Sequence, residues 1–167
     1  NPTVDVILGQ HGIAEFATGD IAFREGPSMA SSDTFSVTVK GVGGHGAYPH
    51  NSGADALLAS ANCVMSLQGL ITRQFNAVDP VVLSICTLHG GTAKNIIPAE
   101  VTFGGSIRCQ SPASRSRIRD MMDHMIGSIV AGYNCTHELD YTYGVPPLVN
   151  DPDVVHAMRS AAAKLLG

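Results

Sequence analysis

The sequence has few charged residues and no cluster of one sign. Only 14% of its 167 residues are charged, and the formal net charge is -4. A nucleic acid or an anionic membrane surface calls for a basic patch, so we expect neither as a partner. No apolar run approaches the ~20 residues that a membrane-spanning helix requires. With 44% hydrophobic residues, the chain can instead fill the core of a folded domain.

Cysteine pairs and a secretion signal are also missing from the residues given. The four cysteines lie far apart and none belongs to a CxxC pair. This spacing predicts small buried side chains rather than zinc ligands or disulfides. No basic segment leads into an apolar one at the start, so we expect a cytoplasmic protein. Both ends of the chain fall beside apolar patterns, and we interpret them as cuts through structure.

The middle of the chain alternates between strand and helix patterns. Four strands and two helices are predicted, in the order βαββαβ. The strands cover residues 35–40, 81–88, 101–109 and 137–143, and the helices run from about 52 to 75 and from 112 to near Gly132. This order predicts an α+β fold of the split, ferredoxin-like kind, with a four-stranded antiparallel sheet and two helices on one face. An open sheet of this size has two edges, which favour self-association.

Local signals refine the two predicted helices. Residues 52–55 have capping-box spacing before the first helix, and Ser111 with Pro112 caps the second. The first helix is expected to bury a stripe at i, i+4, i+7 and i+14, and the second a comparable stripe. The predicted stripes are Leu57, Ala61, Val64 and Ile71, and then Ile118, Met122, Met125 and Ile129. The pair Gly104-Gly105 predicts a β-bulge in the third strand.

The segments before and after the βαββαβ region have different sequence patterns. Residues 4–8 form a continuous apolar run, which predicts a strand covered on both faces. Residues 14–33 look like a linker, and residues 151–153 cap a third helix whose inner side carries Val155, Met158, Ala162 and Leu165. We therefore predict three parts: residues 1–33, residues 34–147 and residues 148–167.

Two glycine-rich loops carry the candidate chemistry. The loop at residues 40–50 holds four glycines around His45, and the loop at residues 90–98 holds Asn95. Glycine lets a backbone turn tightly and approach another surface, and an outward histidine can donate a proton or bind a metal. Plain flexible turns are the alternative. His11, just past the apolar run, lies where α/β sheets bind ligands, although a single histidine is more often only exposed.

Four stretches in the same order resemble metallopeptidase family 20. They are residues 29–33 (MASSD), 43–50 (GGHGAYPH), 90–98 (GGTAKNIIP) and 105–108 (GSIR). Within the family, the sequence is most similar to the amidohydrolase branch, which includes hippurate hydrolases, N-acyl-amino-acid hydrolases and auxin-conjugate hydrolases. There, a βαββαβ lid interrupts an α/β catalytic domain and also forms the homodimer.

The resemblance assigns roles to individual residues. It implies that His11 ligates one of two divalent metals, which would be zinc, manganese or cobalt. It implies that His45 crosses the dimer and hydrogen-bonds the substrate carbonyl oxygen, that Asn95 helps to hold the substrate, and that Arg108 binds the substrate carboxylate. From the residues alone, Asn95 could equally be a turn former and Arg108 a solvated strand residue.

Other parts of the family's site are absent from the sequence. No adjacent pair of glutamates occurs, although the family uses one to provide the general base. A hydrolytic site needs ~3 protein ligands per metal and a base. We therefore expect this chain alone to be inactive and its parent to be an amidohydrolase of N-acyl or N-aroyl amino acids. The alternatives are a dipeptidase or aminopeptidase of the same family, and a non-catalytic ferredoxin-like module that dimerises.

Overall fold

The computed structural model describes residues 3–166, which fall into two compact units. One consists of residues 3–28 and 149–166, and the other is Met29–Leu148. In chain order the elements are β1 (Gly26–Met29), β2 (Ser32–Lys40), β3 (Gly44–His45), a 3-10 turn (Pro49–Asn51), α1 (Ala56–Gln74), β4 (Val81–Gly90), β5 (Ile96–Ile97), β6 (Glu100–Cys109), α2 (Pro112–Ala131), β7 (Thr136–Val145), β8 (Leu148–Asn150) and α3 (Pro152–Leu166). No helix among these residues is long and apolar enough to span a bilayer.

The second unit is built on a four-stranded antiparallel sheet. Its strands lie in the order β4-β6-β2-β7, which confirms the predicted βαββαβ plan. Strand β2 shows why the sequence folds this way, because Phe35, Val37 and Val39 alternate with polar residues and are all buried. These side chains join Leu67 of α1 and Ile118 of α2 in one hydrophobic core.

Helix α1 corrects two of the expectations. Its N-cap is Asp55, whose carboxylate accepts the Leu58 N–H at 2.9 Å, so the predicted capping box beginning at Ser52 is wrong. The predicted stripe is wrong in its first half, since Leu57 is 44% exposed and Ala61 is exposed too, whereas Val64 and Ile71 are partly buried and pack against the core. The buried residues of α1 are Ala56, Ala59, Ser60, Cys63, Leu67 and Leu70.

Helix α2 follows its sequence pattern more closely. The Ser111 side chain accepts the Ser114 N–H at 3.1 Å, and Pro112 occupies the first turn, as predicted. Ile118 and Met122 are buried, while Met125 and Ile129 pack against the core from a partly buried position.

The predicted bulge lies on the opposite strand. The register between β4 and β6 shifts between Ile85 and Thr87, so Cys86 is the extra residue and Gly104-Gly105 lies across from it. Cys86 is the exposed exception to the predicted burial of the cysteines, because the bulge leaves it unpaired at the edge of the sheet. The other three cysteines are buried, and all four are free thiols.

The first unit departs from one expectation and meets another. Residues 4–8 form no strand, and Val4, Ile7 and Leu8 are 58%, 85% and 59% exposed, so the predicted buried strand is wrong for this structure. An apolar run needs neighbouring strands for its backbone groups, and this segment pairs with none among the described residues. Asp151 does cap α3, where its carboxylate accepts the Val154 N–H at 3.1 Å.

Candidate functional site

The two glycine-rich loops meet in space. Strand β3 pairs with β5, with His45 opposite Ile96, and the Gly46 N–H donates to the Asn95 carbonyl oxygen at 2.7 Å. Both His45 and Asn95 are exposed. The structure therefore brings an imidazole and a carboxamide to neighbouring positions on one small, solvent-facing ladder.

The glycines of the first loop allow this close approach. A Cβ at Gly43 would lie 3.2 Å from the Ile97 carbonyl oxygen, and a Cβ at Gly46 would lie 3.2 Å from that of Asn95. Neither glycine has a positive φ, so the requirement is for space and not for a left-handed turn. A larger residue at either position would push the two loops apart.

Local contacts hold His45 within its loop. Its Nδ1 accepts the Ala47 N–H at 3.1 Å, and its carbonyl oxygen accepts the Tyr48 N–H at 2.8 Å. The rings of His45 and Tyr48 also pack together, with centroids 5.6 Å apart. The ring is thus exposed and ordered by its own turn.

An open groove lies beside this ladder. Its volume is about 450 Å³, and it is lined by Gly46, Asp55, Leu57 and residues 90–98. The second loop therefore forms a wall of the groove as well as pairing with the first. A small molecule bound there would contact residues of both loops.

Arg108 lies at the other end of the sheet from this ladder. The loops follow the end where Lys40 pairs with Glu100, whereas Arg108 adjoins the pair formed by Asp33 and Ile107. The Arg108 side chain is exposed, and one guanidinium nitrogen donates to the Ser31 carbonyl oxygen at 3.4 Å. The structure therefore groups His45 with Asn95 and separates Arg108 from both within one chain.

A buried ion pair near Arg108 was not predicted. The Asp33 carboxylate is fully buried and accepts hydrogen bonds from Arg115 at 2.6 and 2.9 Å, from the Tyr141 hydroxyl at 3.1 Å and from the Gly144 N–H at 3.0 Å. Burial alone would raise the pKa of Asp33, but these hydrogen bonds and the Arg115 charge outweigh it and hold the pKa below its ordinary value. The sequence did contain a signal for the burial of Asp33. Because it lies two and four residues before Phe35 and Val37, its side chain faces the same side of the strand as theirs.

His11 is exposed in the other unit, and its Nδ1 lies 2.7 Å from the Gly12 carbonyl oxygen. Between residues 3 and 166, no three histidine, cysteine, aspartate or glutamate side chains come together in a way that could hold a metal ion. These residues do not form a metal site by themselves, and His11 offers at most one ligand nitrogen.

Comparison with known proteins places this geometry in a family. Residues 28–134 match the model of the M20 peptidase dimerisation domain, so the chain belongs to that family, as the sequence motifs indicated. The match covers strands β2, β4 and β6 of the sheet, both of its helices and the two paired loops, and it ends just before β7.

Curated relatives match nearly the whole chain. Thermostable carboxypeptidase 2 of Saccharolobus solfataricus is 38% identical over 152 residues, which are 90% of this chain and 38% of the relative. The N-acyl-L-amino acid amidohydrolase of Geobacillus stearothermophilus is 33% identical over 147 residues, which are 88% of this chain and 40% of the relative. The chain therefore spans well under half the length of these relatives.

Solved structures share the fold. A protein from methicillin-resistant Staphylococcus aureus superposes with a TM-score of 0.82 at 25% identity, covering 91% of this chain and 40% of the other. A Bacillus subtilis protein described as a dinuclear metal-binding peptidase of the M20 family has a TM-score of 0.68 at 29% identity, covering 85% of this chain and 34% of the other.

Proposed function

We propose that this chain is the lid and dimerisation region of a longer metal-dependent amidohydrolase acting on N-acyl or N-aroyl amino acids. The observation that carries the proposal is the pairing of the His45 and Asn95 loops into one exposed ladder. An imidazole N–H and a carboxamide can both hydrogen-bond the oxygen of a substrate amide as negative charge develops on it. A module used only for association would not require these two side chains to lie at solvent-facing positions on one ladder.

The metal chemistry would come mainly from the rest of such an enzyme. Divalent ions there would activate water for attack on the amide carbon, and His11 would supply one ligand. The other ligands and the general base would lie outside this chain. The role left for the lid is to bind the substrate and to stabilise the charge on its oxygen.

Arg108 supports a substrate with a free carboxylate. A guanidinium group binds a carboxylate through two parallel hydrogen bonds. An N-acyl amino acid has such a carboxylate, and so does the substrate of a carboxypeptidase, a second candidate function suggested by the name of the 38% identical relative. In either case, Arg108→Ala should raise KM for the free acid and leave KM for the matching C-terminal amide nearly unchanged. An equal effect on both substrates would refute this role.

The register of the sheet indicates that the proposed site needs residues from both subunits of a dimer. From the Lys40–Glu100 pair to the Asp33–Ile107 pair is seven residues along β2. At ~3.3 Å per residue, Arg108 lies roughly 23 Å from the end of the sheet that carries the paired loops. One small substrate cannot reach both ends. We therefore infer that each active site takes Arg108 from its own subunit and His45 from the partner.

Complementation between two inactive variants tests this arrangement. With a free-acid substrate kept well below the raised KM of Arg108→Ala, both variants are expected to be nearly inactive in the full-length homodimer: His45→Ala because kcat falls about 10²–10³-fold, and Arg108→Ala because the substrate binds weakly. Mixed dimers would contain one site with both residues intact. After random exchange, about a quarter of the wild-type activity should return, because half of the dimers are mixed and each has one good site. No recovery would mean that both residues act within one subunit, and full activity of His45→Ala would favour the non-catalytic module.

One edge of the sheet suits a second copy better than the other. Helix α1 contains a single charged residue, Arg73, and strand β4 contains no Lys, Arg, Asp or Glu. Exposed apolar side chains cluster on these two elements: Leu57, Leu58 and Met65 on α1, and Val82 and Leu88 on β4. The opposite edge, formed by α2 and β7, carries three arginines and four acidic residues. We propose that the α1–β4 surface forms the dimer, since burying charges would oppose association.

A charge placed on each surface distinguishes the two edges. Met65→Asp on α1 should shift the chain from dimer to monomer in sedimentation equilibrium, whereas His124→Asp, an exposed position on α2, should not. Thiol labelling gives a second readout at Cys86, the exposed cysteine of β4. Labelling of Cys86 should slow as the protein concentration rises, and a constant rate would argue against this edge.

A further inference from the structure

The hydrogen bond to His45 fixes where its proton lies. A backbone N–H can only donate, so the Nδ1 atom that accepts from Ala47 must carry a lone pair. In a neutral imidazole the remaining proton is then on Nε2. No other hydrogen bond to the His45 ring occurs among residues 3–166, which leaves the Nε2 proton available to an external acceptor.

We propose that the Ala47 amide is a positioning group that sets His45 in the Nε2–H tautomer, so that the ring acts as a neutral hydrogen-bond donor and not as a base. This inference rests on the function proposed for His45 and adds its protonation form. A carbonyl oxygen that gains negative charge needs a donor, and the Nδ1–H tautomer would present a lone pair to it at Nε2.

The loop resists the alternative ring state. Rotating the ring by half a turn would replace Nδ1 with a carbon atom and lose the Ala47 hydrogen bond. The Tyr48 ring packs against the imidazole, and the Gly46 N–H anchors the turn to Asn95. The tautomer is therefore determined by backbone geometry within residues 45–48, together with one contact to the second loop.

His11 shows the opposite arrangement and provides an internal contrast. Its Nδ1 lies 2.7 Å from a carbonyl oxygen, which can only accept, so that nitrogen carries the proton. The lone pair is then on Nε2, as a metal ligand requires. Two histidines of one chain thus place opposite groups at Nε2, a donor at His45 and a lone pair at His11.

Nitrogen-15 NMR of the 167-residue chain, at a pH where the imidazoles are neutral, tests the proposal directly. Two-bond proton–nitrogen spectra distinguish a protonated ring nitrogen from a bare one. For His45 we expect a bare Nδ1 and a protonated Nε2, and for His11 the reverse. His50 has no ring hydrogen bond among the described residues, so its averaged shifts give the reference for a free ring. Averaged shifts at His45 that match those of His50 would overturn the proposal.

Two variants assign the effect to the Ala47 amide. Ala47→Pro removes the N–H and should move the His45 shifts toward those of His50, while Ala47→Gly keeps the N–H and should leave them in place. In the full-length enzyme, Ala47→Pro should lower kcat with little change in KM. A fixed tautomer together with full activity of His45→Ala would refute the proposed function but leave the tautomer assigned to His45 in place. If the tautomers are averaged at His45 and His45→Ala is inactive, the proposed tautomer is refuted and the proposed function is kept.

Discussion

Replacing Asp33 with asparagine should destabilise the dimerisation domain more than its small change in shape suggests. The carboxylate is fully buried and faces four donor groups, two from Arg115, one from Tyr141 and one from Gly144. Asparagine keeps one acceptor oxygen but turns an NH₂ group toward donors. About two donors lose their acceptor, at about 1–3 kcal/mol each.

Breaking a buried ion pair from one side gives a similar magnitude, about 3–5 kcal/mol. For a chain of this length each kcal/mol shifts the melting temperature by about 2–4 °C. Thermal unfolding followed by circular dichroism should therefore show Asp33→Asn melting roughly 6 to 20 °C below the wild type. Because asparagine is nearly isosteric with aspartate, a cavity does not explain such a loss.

An exposed ion pair provides the matched control. Lys40 and Glu138 also join two elements of the sheet, with nitrogen and oxygen 2.5 Å apart, but both side chains are largely exposed. Glu138→Gln should lower the melting temperature far less than Asp33→Asn does, because water screens the pair. If Asp33→Asn lost no more stability than Glu138→Gln, the buried network would not stabilise the dimerisation domain as we expect.

Three further predictions concern pH and packing. The difference in unfolding free energy between the wild type and Asp33→Asn should be fully present above pH 3.8, the ordinary pKa of the carboxyl. It should disappear as the pH falls through the lowered pKa that Asp33 has in the folded protein. Unfolding measured across an acid pH series would show this loss. Gly105→Ala would place a Cβ 1.8 Å from a carbonyl oxygen of β4, so it should prevent normal pairing of the sheet, and hydrogen exchange would show lost amide protection. Gly69→Ala has open space around the new Cβ in α1. It should raise the free energy of unfolding by about 0.5–1 kcal/mol, measured with urea. Ile126→Ala, in the core, should cost about 2–5 kcal/mol in the same assay, against about 0.5 kcal/mol or less for the exposed Val78→Ala.

The strands and helices of the dimerisation domain could be predicted because local patterns agree with the final fold there. Alternation in β2 coincides with one buried face, and Ser111 with Pro112 caps α2 in the expected way. The predicted strand at residues 4–8 was wrong because an apolar pattern shows that a segment would be stable beside other strands, but does not show that such strands are present. The pairing of β3 with β5 could not be predicted either, since two-residue strands carry no periodicity.

The candidate site was predictable only in part, since its residues came from the family resemblance and their placement from the fold. The loops of His45 and Asn95 do meet, and Arg108 lies at the far end of the strand that follows the second loop. Strand register fixes that separation, and register follows from which residues pair. The Ala47 hydrogen bond is likewise a matter of backbone geometry over two residues.

The error in the α1 stripe and the proposed dimer surface have one cause. A helix with one core face shows a clear stripe because its other face is polar, as in α2, where arginines and acidic residues fill the outer side. Helix α1 is apolar on more of its circumference: Leu67 points into the core, while Leu58 and Met65 are 52% and 73% exposed. The sequence periodicity does not distinguish two apolar faces of one helix, so the predicted stripe fell between the core face and the exposed apolar face. A helix that is apolar on its exposed side is expected to be buried in the working protein, and its neighbour β4 is an uncharged edge strand. The feature that made α1 hard to interpret from sequence is thus the same one that points to a second copy at this edge.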